Sequence, residues 1–147
     1  PEARVLPECA RLAIAFLPYL PLKGGLLTGK YRKNRPMPED TRMAKVERYR
    51  KFLTHQNLNQ VERLIDYARI RGHTVLDLAV SWLLAHGVVA SVIAGATSAA
   101  QVRANVRAAN WRLGATDLAE IDRLLSSGGS MSRWVTRAHD FLSRAPQ

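Results

Sequence analysis

The feature that most constrains the fold of this chain is a pair of short apolar runs, at residues 13–17 and 90–94. Neither run contains a charged residue, and each is followed by a loop that contains glycine. A short, continuous apolar run is typical of a parallel strand that is buried on both faces. Because segments with helical spacing separate the two runs, the pattern predicts strands joined by helices in a parallel sheet.

The sequence around these runs predicts helices. Apolar residues recur at helical spacing in residues 57–72, in residues 74–86, in a segment that opens at Ser98 and in one that starts at Thr116. Residues 111–113 form a brief extended piece. Two strands and one short piece leave the edges of a parallel sheet unprotected, so we predict that the chain is part of a larger α/β fold.

The composition excludes several classes of protein. The chain has 147 residues, the size of one ordinary domain. Its single cysteine, Cys9, excludes an internal disulfide framework and a cysteine-based zinc site. No uncharged apolar run approaches the roughly 18 residues that a membrane span requires, and no signal-peptide pattern opens the sequence. We therefore expect a cytoplasmic protein with no membrane partner.

Positive charge is concentrated in one stretch. The net charge is +10 at pH 7, and most of the excess lies between Lys23 and Lys51. Such a block indicates either a solvated loop or a surface for a phosphorylated ligand or polyanion. Nucleic acid is the less favoured partner, because few aromatic residues interleave with the basic ones.

Two loops carry the residues that indicate chemistry. Residues 19–30 contain three glycines and two lysines after an aromatic residue, a pattern that lets backbone N–H groups approach an anionic ligand. In residues 95–105, Ser98 has the capping-box spacing to Gln101 and predicts a helix start that favours an anion. A plain turn and an ordinary helix cap are the alternative interpretations. Both loops follow predicted strands, where α/β folds bind their ligands.

Taken in order, the two loops resemble a known family. The motif Tyr-Leu-Pro-Leu-Lys-Gly-Gly-Leu-Leu-Thr-Gly-Lys-Tyr at residues 19–31, followed by Ile-Ala-Gly-Ala-Thr-Ser at residues 93–98, is similar to the C-terminal half of an NADP-dependent aldo-keto reductase. The resemblance implies the C-terminal portion, about strands 6–8 and their helices, of an eight-stranded parallel (β/α)8 TIM barrel. It implies that residues 1–126 belong to this barrel, with residues 111–113 as its last strand, and that residues 127–147 form a linker and basic tail.

The resemblance also implies a role for each matching position in binding NADP. Tyr19 would stack on the nicotinamide ring, and Asn105 would meet the adenine edge. The positions implied for the pyrophosphate and its ribose are Pro21, Leu22, Gly24, Leu26 and Lys30. Those implied for the 2′-phosphate side are Gly95, Thr97 and Ser98, with Gln101 close by. The substrate would be a small carbonyl compound, and the loop at residues 32–56 would form part of the substrate mouth.

Three departures from the family pattern limit what the resemblance implies. Leu20 stands where the family usually has serine, and Ala104 stands where it usually has glutamate. The catalytic tetrad of Asp, Tyr, Lys and His lies on the family's first four strands, and no residue here corresponds to it. We therefore expect an oxidoreductase fragment that is inactive alone and that needs its N-terminal half or self-associates. The alternative function is a non-catalytic NADP(H)-binding or partner-docking module.

Overall fold

The computed structural model describes residues 1–126, so the expected linker and basic tail lie outside the described residues. Six α-helices and three 3₁₀ segments form the described part of the chain. The helices are α1 (Val5–Arg11), α2 (Arg42–Lys45), α3 (His55–Ile70), α4 (Val75–Leu84), α5 (Ala99–Arg107) and α6 (Ala115–Ser126). The 3₁₀ segments are Lys23–Thr28, Glu47–Phe52 and Ala108–Asn110.

The predicted strands are wrong as regular elements, although their parallel direction is right. Within residues 1–126, β-pairing is limited to two isolated parallel bridges, Phe16 with Val89 and Tyr19 with Ile93. Each run pairs on one side only, whereas a regular parallel strand needs partners that continue the ladder. The expected burial fails for the same reason, since Ile93 is 57% exposed. Residues 111–113 lie in no strand or bridge.

Local signals set the ends of α3 as the sequence predicts. The Thr54 hydroxyl accepts a hydrogen bond from the Asn57 N–H at 3.1 Å, so the helix begins two residues before Asn57. At the other end Gly72 has φ +76°, a left-handed conformation that glycine adopts without steric cost. The Gly72 and His73 N–H groups then donate to carbonyls of the last helical turn, which completes a Schellman motif.

The other predicted helices are also confirmed. Thr74 and Asp77 form a reciprocal capping box at the start of α4, with hydrogen bonds of 3.1 and 2.8 Å. The Ser98 hydroxyl accepts from the Gln101 N–H at 3.3 Å and opens α5. Helix α6 begins next to the predicted Thr116 and buries Ile121. Helix α4 ends at Leu84, two residues before the predicted position.

The buried residues form two clusters. The first, here the helix core, joins α3, α4 and α6 through Leu64, Tyr67, Ala68, Val75, Leu78 and Ile121. The second, here the loop core, joins the basic stretch to α3 through Leu26, Tyr31, Met43, Tyr49 and Val61. The interpretation of the basic stretch as a solvated loop is therefore wrong for its aromatic and apolar residues, because these pack while its cations stay at the surface.

A bidentate ion pair fixes the segment that follows residues 19–30 to α3. The Arg32 guanidinium donates to both carboxylate oxygens of Glu62 at 2.6–3.0 Å, and the Lys33 N–H donates to the same carboxylate at 2.9 Å. These contacts hold the pKa of Glu62 below its usual value, chiefly through the hydrogen bonds from Arg32. The basic stretch thus leaves the glycine-containing loop along a fixed path.

Candidate functional site

The two parallel bridges bring the two candidate loops to one edge of the molecule. Tyr19, which opens the first loop, pairs with Ile93, which lies two residues before Gly95 of the second loop. The Ile93 N–H donates to the Pro18 carbonyl at 3.1 Å. Residues far apart in the sequence therefore begin their loops side by side, as expected for the carboxyl ends of neighbouring parallel strands.

The first loop, residues 19–30 and here called the glycine loop, has an unusual backbone. Leu20 has φ +54° and Lys23 has φ +48°, although neither is glycine. They are followed by Gly24 at φ +69° and Gly25 at φ +104°. Left-handed backbone is uncommon for residues other than glycine, asparagine and aspartate, and such strain tends to concentrate at ligand-binding sites. The loop is thus built for a backbone shape that ordinary turns do not require.

Residues of the glycine loop that the resemblance implied for the cofactor differ in exposure. Tyr19 is 40% exposed and Lys30 is also exposed, so both side chains are accessible at the surface. Pro21 and Leu22 are half-buried. Leu26 has no exposed surface, because it is packed inside the loop core. Its burial makes Leu26 a support for the loop, and we do not retain it as a residue that touches a ligand.

Gly24 is buried for a different reason. A Cβ atom at Gly24 would lie 2.8 Å from Cδ1 of Tyr49, a separation that real side chains do not tolerate. The backbone of the glycine loop therefore rests directly on an aromatic ring from the basic stretch. Glycine is required here both by its positive φ and by this close approach.

The second loop, residues 95–105, presents polar groups at the start of α5. Thr97 and Ser98 are exposed, and Gly95 has open space around the position of a Cβ atom. The Gln101 carboxamide oxygen accepts from the Thr97 N–H at 2.8 Å and from the Thr97 hydroxyl at 3.2 Å. In a standard capping box the Gln101 side chain would accept from the Ser98 N–H; here it accepts from the N–H one residue earlier, that of Thr97. Asn105 donates to the Ala94 carbonyl at 3.5 Å, which keeps its side chain beside the loop.

The charges around both loops fit an anionic ligand. No Asp or Glu occurs in residues 9–38 or in residues 78–116, which contain the two loops, whereas these segments carry nine Lys or Arg residues. The first N–H groups of an α-helix have no partner within the helix. In α5 those of Ala99 and Ala100 belong to exposed residues, whereas the Gln101 N–H donates to the Ser98 hydroxyl. N–H donors, hydroxyls and cations are the donor set that a phosphorylated dinucleotide requires. Carboxylates from other segments lie nearby, since Asp40 interacts with Lys30 and Asp122 lines the same cavity as Tyr19.

The structure adds Arg42, Arg48 and Lys51 to the cations that the motifs singled out. The guanidinium groups of Arg42 and Arg48 lie over the Tyr49 ring at 5.8 and 5.1 Å from its centre. The ammonium groups of Lys23 and Lys51 lie over the Phe52 ring at 5.0 and 5.7 Å. The alternation of cations with aromatic residues at positions 48–52 is the sequence signal that could have identified this cluster.

The Tyr67, His73 and His86 side chains hydrogen-bond to or pack against other residues of the described part of the chain, residues 1–126. The Tyr67 hydroxyl donates to Asp117 at 3.0 Å inside the helix core, and burial together with this carboxylate raises the pKa of Tyr67 to about 12. The His73 ring stacks on Trp111 at 4.1 Å, and the His86 ring meets Trp82 edge-on at 4.7 Å. These described residues contain no cluster of three His, Cys, Asp or Glu side chains that could hold a metal ion, and none of their helices is long and apolar enough to cross a membrane.

Comparison with known proteins gives a consistent result. The family model described as "Aldo/keto reductase family" matches residues 1–126. The chain is 39% identical over 121 residues to L-glyceraldehyde 3-phosphate reductase of Escherichia coli O157:H7, covering 78% of this chain and 34% of that protein. It is 34% identical over 87 residues to the aldo-keto reductase yakc [NADP(+)] of Schizosaccharomyces pombe, covering 59% and 26%. It is 32% identical over 121 residues to the NADH-specific methylglyoxal reductase of Escherichia coli, covering 79% and 35%.

A solved structure extends the likeness to three dimensions. A glycerol dehydrogenase of Gluconobacter oxydans superposes with a TM-score of 0.70 at 27% identity, covering 87% of this chain and 39% of that protein. The chain spans about one third of the length of the curated relatives that it matches.

Proposed function

This chain belongs to the aldo/keto reductase family, and from that membership we propose that residues 1–126 are the cofactor-binding part of an oxidoreductase that reduces aldehydes or ketones to alcohols. Its structural neighbours are barrel enzymes of this family, so the chain is part of a (β/α)8 fold. We place it in the C-terminal part of that barrel.

One observation carries the proposal, the bridge between Tyr19 and Ile93. It sets the glycine loop beside the start of α5 at the edge where parallel α/β folds bind ligands. Both loops are free of carboxylates, and both offer backbone or side-chain donors to an anion. Neither loop alone would distinguish a cofactor site from an ordinary turn or helix cap.

The bound nicotinamide cofactor would supply the hydride for reduction, while this chain's residues hold and orient it. Tyr19 would support the nicotinamide ring, and the backbone of Pro21, Leu22 and Gly24 with Lys30 would contact the pyrophosphate. The residues proposed for the 2′-phosphate and the adenosine are Gly95, Thr97, Ser98, Gln101 and Asn105. The positive charge near both loops would favour the transfer of the dianionic 2′-phosphate from water to this site.

We further propose that NADP(H) binds more tightly than NAD(H). The relatives described above include both an NADP(+) enzyme and an NADH-specific one, so local chemistry must decide the preference. A 2′-phosphate at the start of α5 gains from the helix dipole and from charge-assisted hydrogen bonds. Ala104 supplies no carboxylate to repel it, and Arg103 adds positive charge nearby.

The chain's own residues are proposed not to perform the proton transfer. The Tyr67 hydroxyl donates a hydrogen bond to Asp117, and its pKa, raised to about 12, makes it a weak acid. Residues outside the described chain would supply the acid in a complete barrel. Ile14, Leu17 and Ile93, each more than half exposed, would then meet the remaining barrel or a second copy of the chain.

A titration of the intact protein with NADPH and NADH tests the cofactor assignment. We expect tighter binding of NADPH in the parent and a selective loss of NADPH affinity in the double variant Ser98→Ala, Gln101→Ala. Thr116→Ala is the control, because Thr116 is an exposed hydroxyl residue in the first turn of a different helix, α6. Equal affinities in the parent, or an equal loss of both cofactors in the double variant, would place the phosphate elsewhere.

A further inference from the structure

The segment at residues 32–56 meets the glycine loop through two aromatic residues, Tyr49 at Gly24 and Phe52 at Lys23. The Tyr49 ring lies under Gly24, with Cδ1, Cγ and Cβ at 2.8, 3.1 and 3.3 Å from the position of a Cβ atom there. Tyr49 is only 9% exposed, and it belongs to the loop core together with Leu26 and Met43. The ring thus forms a rigid floor for the part of the loop that has left-handed backbone.

The same ring gathers positive charge. Arg42 and Arg48 lie over it, and the Arg48 guanidinium also donates to the Tyr49 hydroxyl at 3.3 Å. Arg42 starts the short helix α2, whose end is fixed because the Arg50 guanidinium donates to the Met43 and Ala44 carbonyls at 3.0 and 2.7 Å. Cations held over an aromatic face keep their charge while losing rotational freedom.

From these contacts we propose that Tyr49 is a positioning residue for the cofactor loop. It fixes the Gly24 turn from below and holds Arg42 and Arg48 beside it, so that backbone N–H groups and guanidinium groups converge on the same anionic phosphates. The inference rests on the proposed function and adds to it a role for the stretch at residues 32–56, which the resemblance placed only at the substrate mouth.

The chemistry of the ring explains why tyrosine suits this position. A flat side chain can approach the Gly24 backbone closely, and its π face attracts the two guanidinium groups. Phenylalanine would keep both properties and lose only the hydrogen bond from Arg48. Leucine would fill much of the volume but provide neither the flat floor nor the π face.

The test compares Tyr49→Phe, Tyr49→Leu and Tyr67→Leu in the intact protein. Tyr67 is the matched control, because it is 6% exposed, lies in the helix core and donates its hydroxyl hydrogen bond to Asp117 of α6. Dissociation constants for NADPH are measured at two salt concentrations, alongside thermal unfolding midpoints. We expect Tyr49→Phe to bind within about twofold of the parent and Tyr49→Leu to bind about tenfold more weakly, since preorganisation of the loop is lost.

The control separates positioning from general stability. We expect Tyr67→Leu to lower the unfolding midpoint while leaving the NADPH dissociation constant within about twofold of the parent. Equal weakening by both leucine variants, or unchanged affinity in a folded Tyr49→Leu, would overturn the proposal.

A surface variant decides the matter if Tyr49→Leu does not fold. Arg48→Met removes one cation from the ring without changing the core, and we expect it to weaken NADPH binding about threefold at low salt and less at high salt. Unchanged affinity in Arg48→Met would then overturn the proposal. A parent protein that binds no nicotinamide cofactor would refute the proposed function itself, a result distinct from every outcome of the variants.

Discussion

The helix core and the loop core bury residues equally well but are built differently. In the helix core, regular helices end in standard caps, and its charged residues pair with one another, as Arg71 does with Glu120 at 2.6 Å. The loop core supports a backbone with left-handed residues at Leu20 and Lys23. Cations lie over aromatic rings in both cores, as Arg71 does over Tyr67 in the helix core and Arg48 over Tyr49 in the loop core. From this difference we propose that the first region chiefly stabilises the chain and that the second holds the strained loop for a ligand.

The largest expected effect concerns catalysis, which we propose that neither region provides. We expect the purified 147-residue chain to show no reduction of 4-nitrobenzaldehyde above background, because general acid catalysis alone contributes roughly 10²–10⁴ in rate. NADPH oxidation followed by absorbance measures it. Steady turnover would show that the chain holds a proton donor after all.

Paired truncations then test whether the two cores differ in function. Ile121→Ala in the helix core and Leu26→Ala in the loop core each remove a side chain that is at least 98% buried. We expect each to lower the free energy of unfolding by about 2–5 kcal/mol, as measured by urea denaturation.

Cofactor affinity should separate these variants. Leu26→Ala should weaken NADPH binding measurably, because Leu26 supports the glycine loop, whereas Ile121→Ala should leave it within about twofold. Similar NADPH affinities in the two variants would remove the functional distinction between the cores.

A smaller effect is expected from the ion pair that anchors the loop core. Arg32 lowers the pKa of Glu62 in the folded protein. The ionised carboxylate therefore contributes stability at pH values above the pKa of the unfolded state, which is near 4.5. That contribution is lost as the pH falls through the lowered folded pKa. We expect Glu62→Gln to be less stable than the parent at pH 7 and to show a smaller loss of stability on acidification.

Urea unfolding at pH 7 and at pH 3 measures this difference. Glu120→Gln on α6, which removes one of the two carboxylate partners of Arg71, provides a matched control in the helix core. If Glu62→Gln and the parent lose stability equally on acidification, the Arg32 pair does not anchor the loop core.

The sequence predicted the helices well because their ends depend on neighbouring residues. Thr74 with Asp77 and Gly72 with its flanking carbonyls are local arrangements, and each is visible in the sequence. The strands were not predicted correctly, because a strand depends on partners elsewhere and each run here has one partner. An apolar run indicates that a segment can form a strand, but it does not show whether a neighbouring strand is present to pair with it.

The candidate site was predictable to a similar degree. The motif residues lie in the two loops that the sequence predicted. The burial of Leu26 and the contact between Tyr49 and Gly24, however, depend on the path of the basic stretch. That path is set by packing between residues far apart in the chain, for which the sequence shows no periodic signal. The resemblance identified the loops, and the structure identified what supports them.

The central claim is that the start of α5 receives the 2′-phosphate of NADP(H), and amide-resolved NMR of the intact ¹⁵N-labelled protein tests it most directly. NADP⁺ and NAD⁺ are added separately to matched saturation. The account predicts that both cofactors shift the amide signals of the glycine loop, while NADP⁺ alone produces large shifts at Thr97, Ala99 and Ala100. Equal shifts at these three amides with NAD⁺, or no shifts there with NADP⁺, would contradict it.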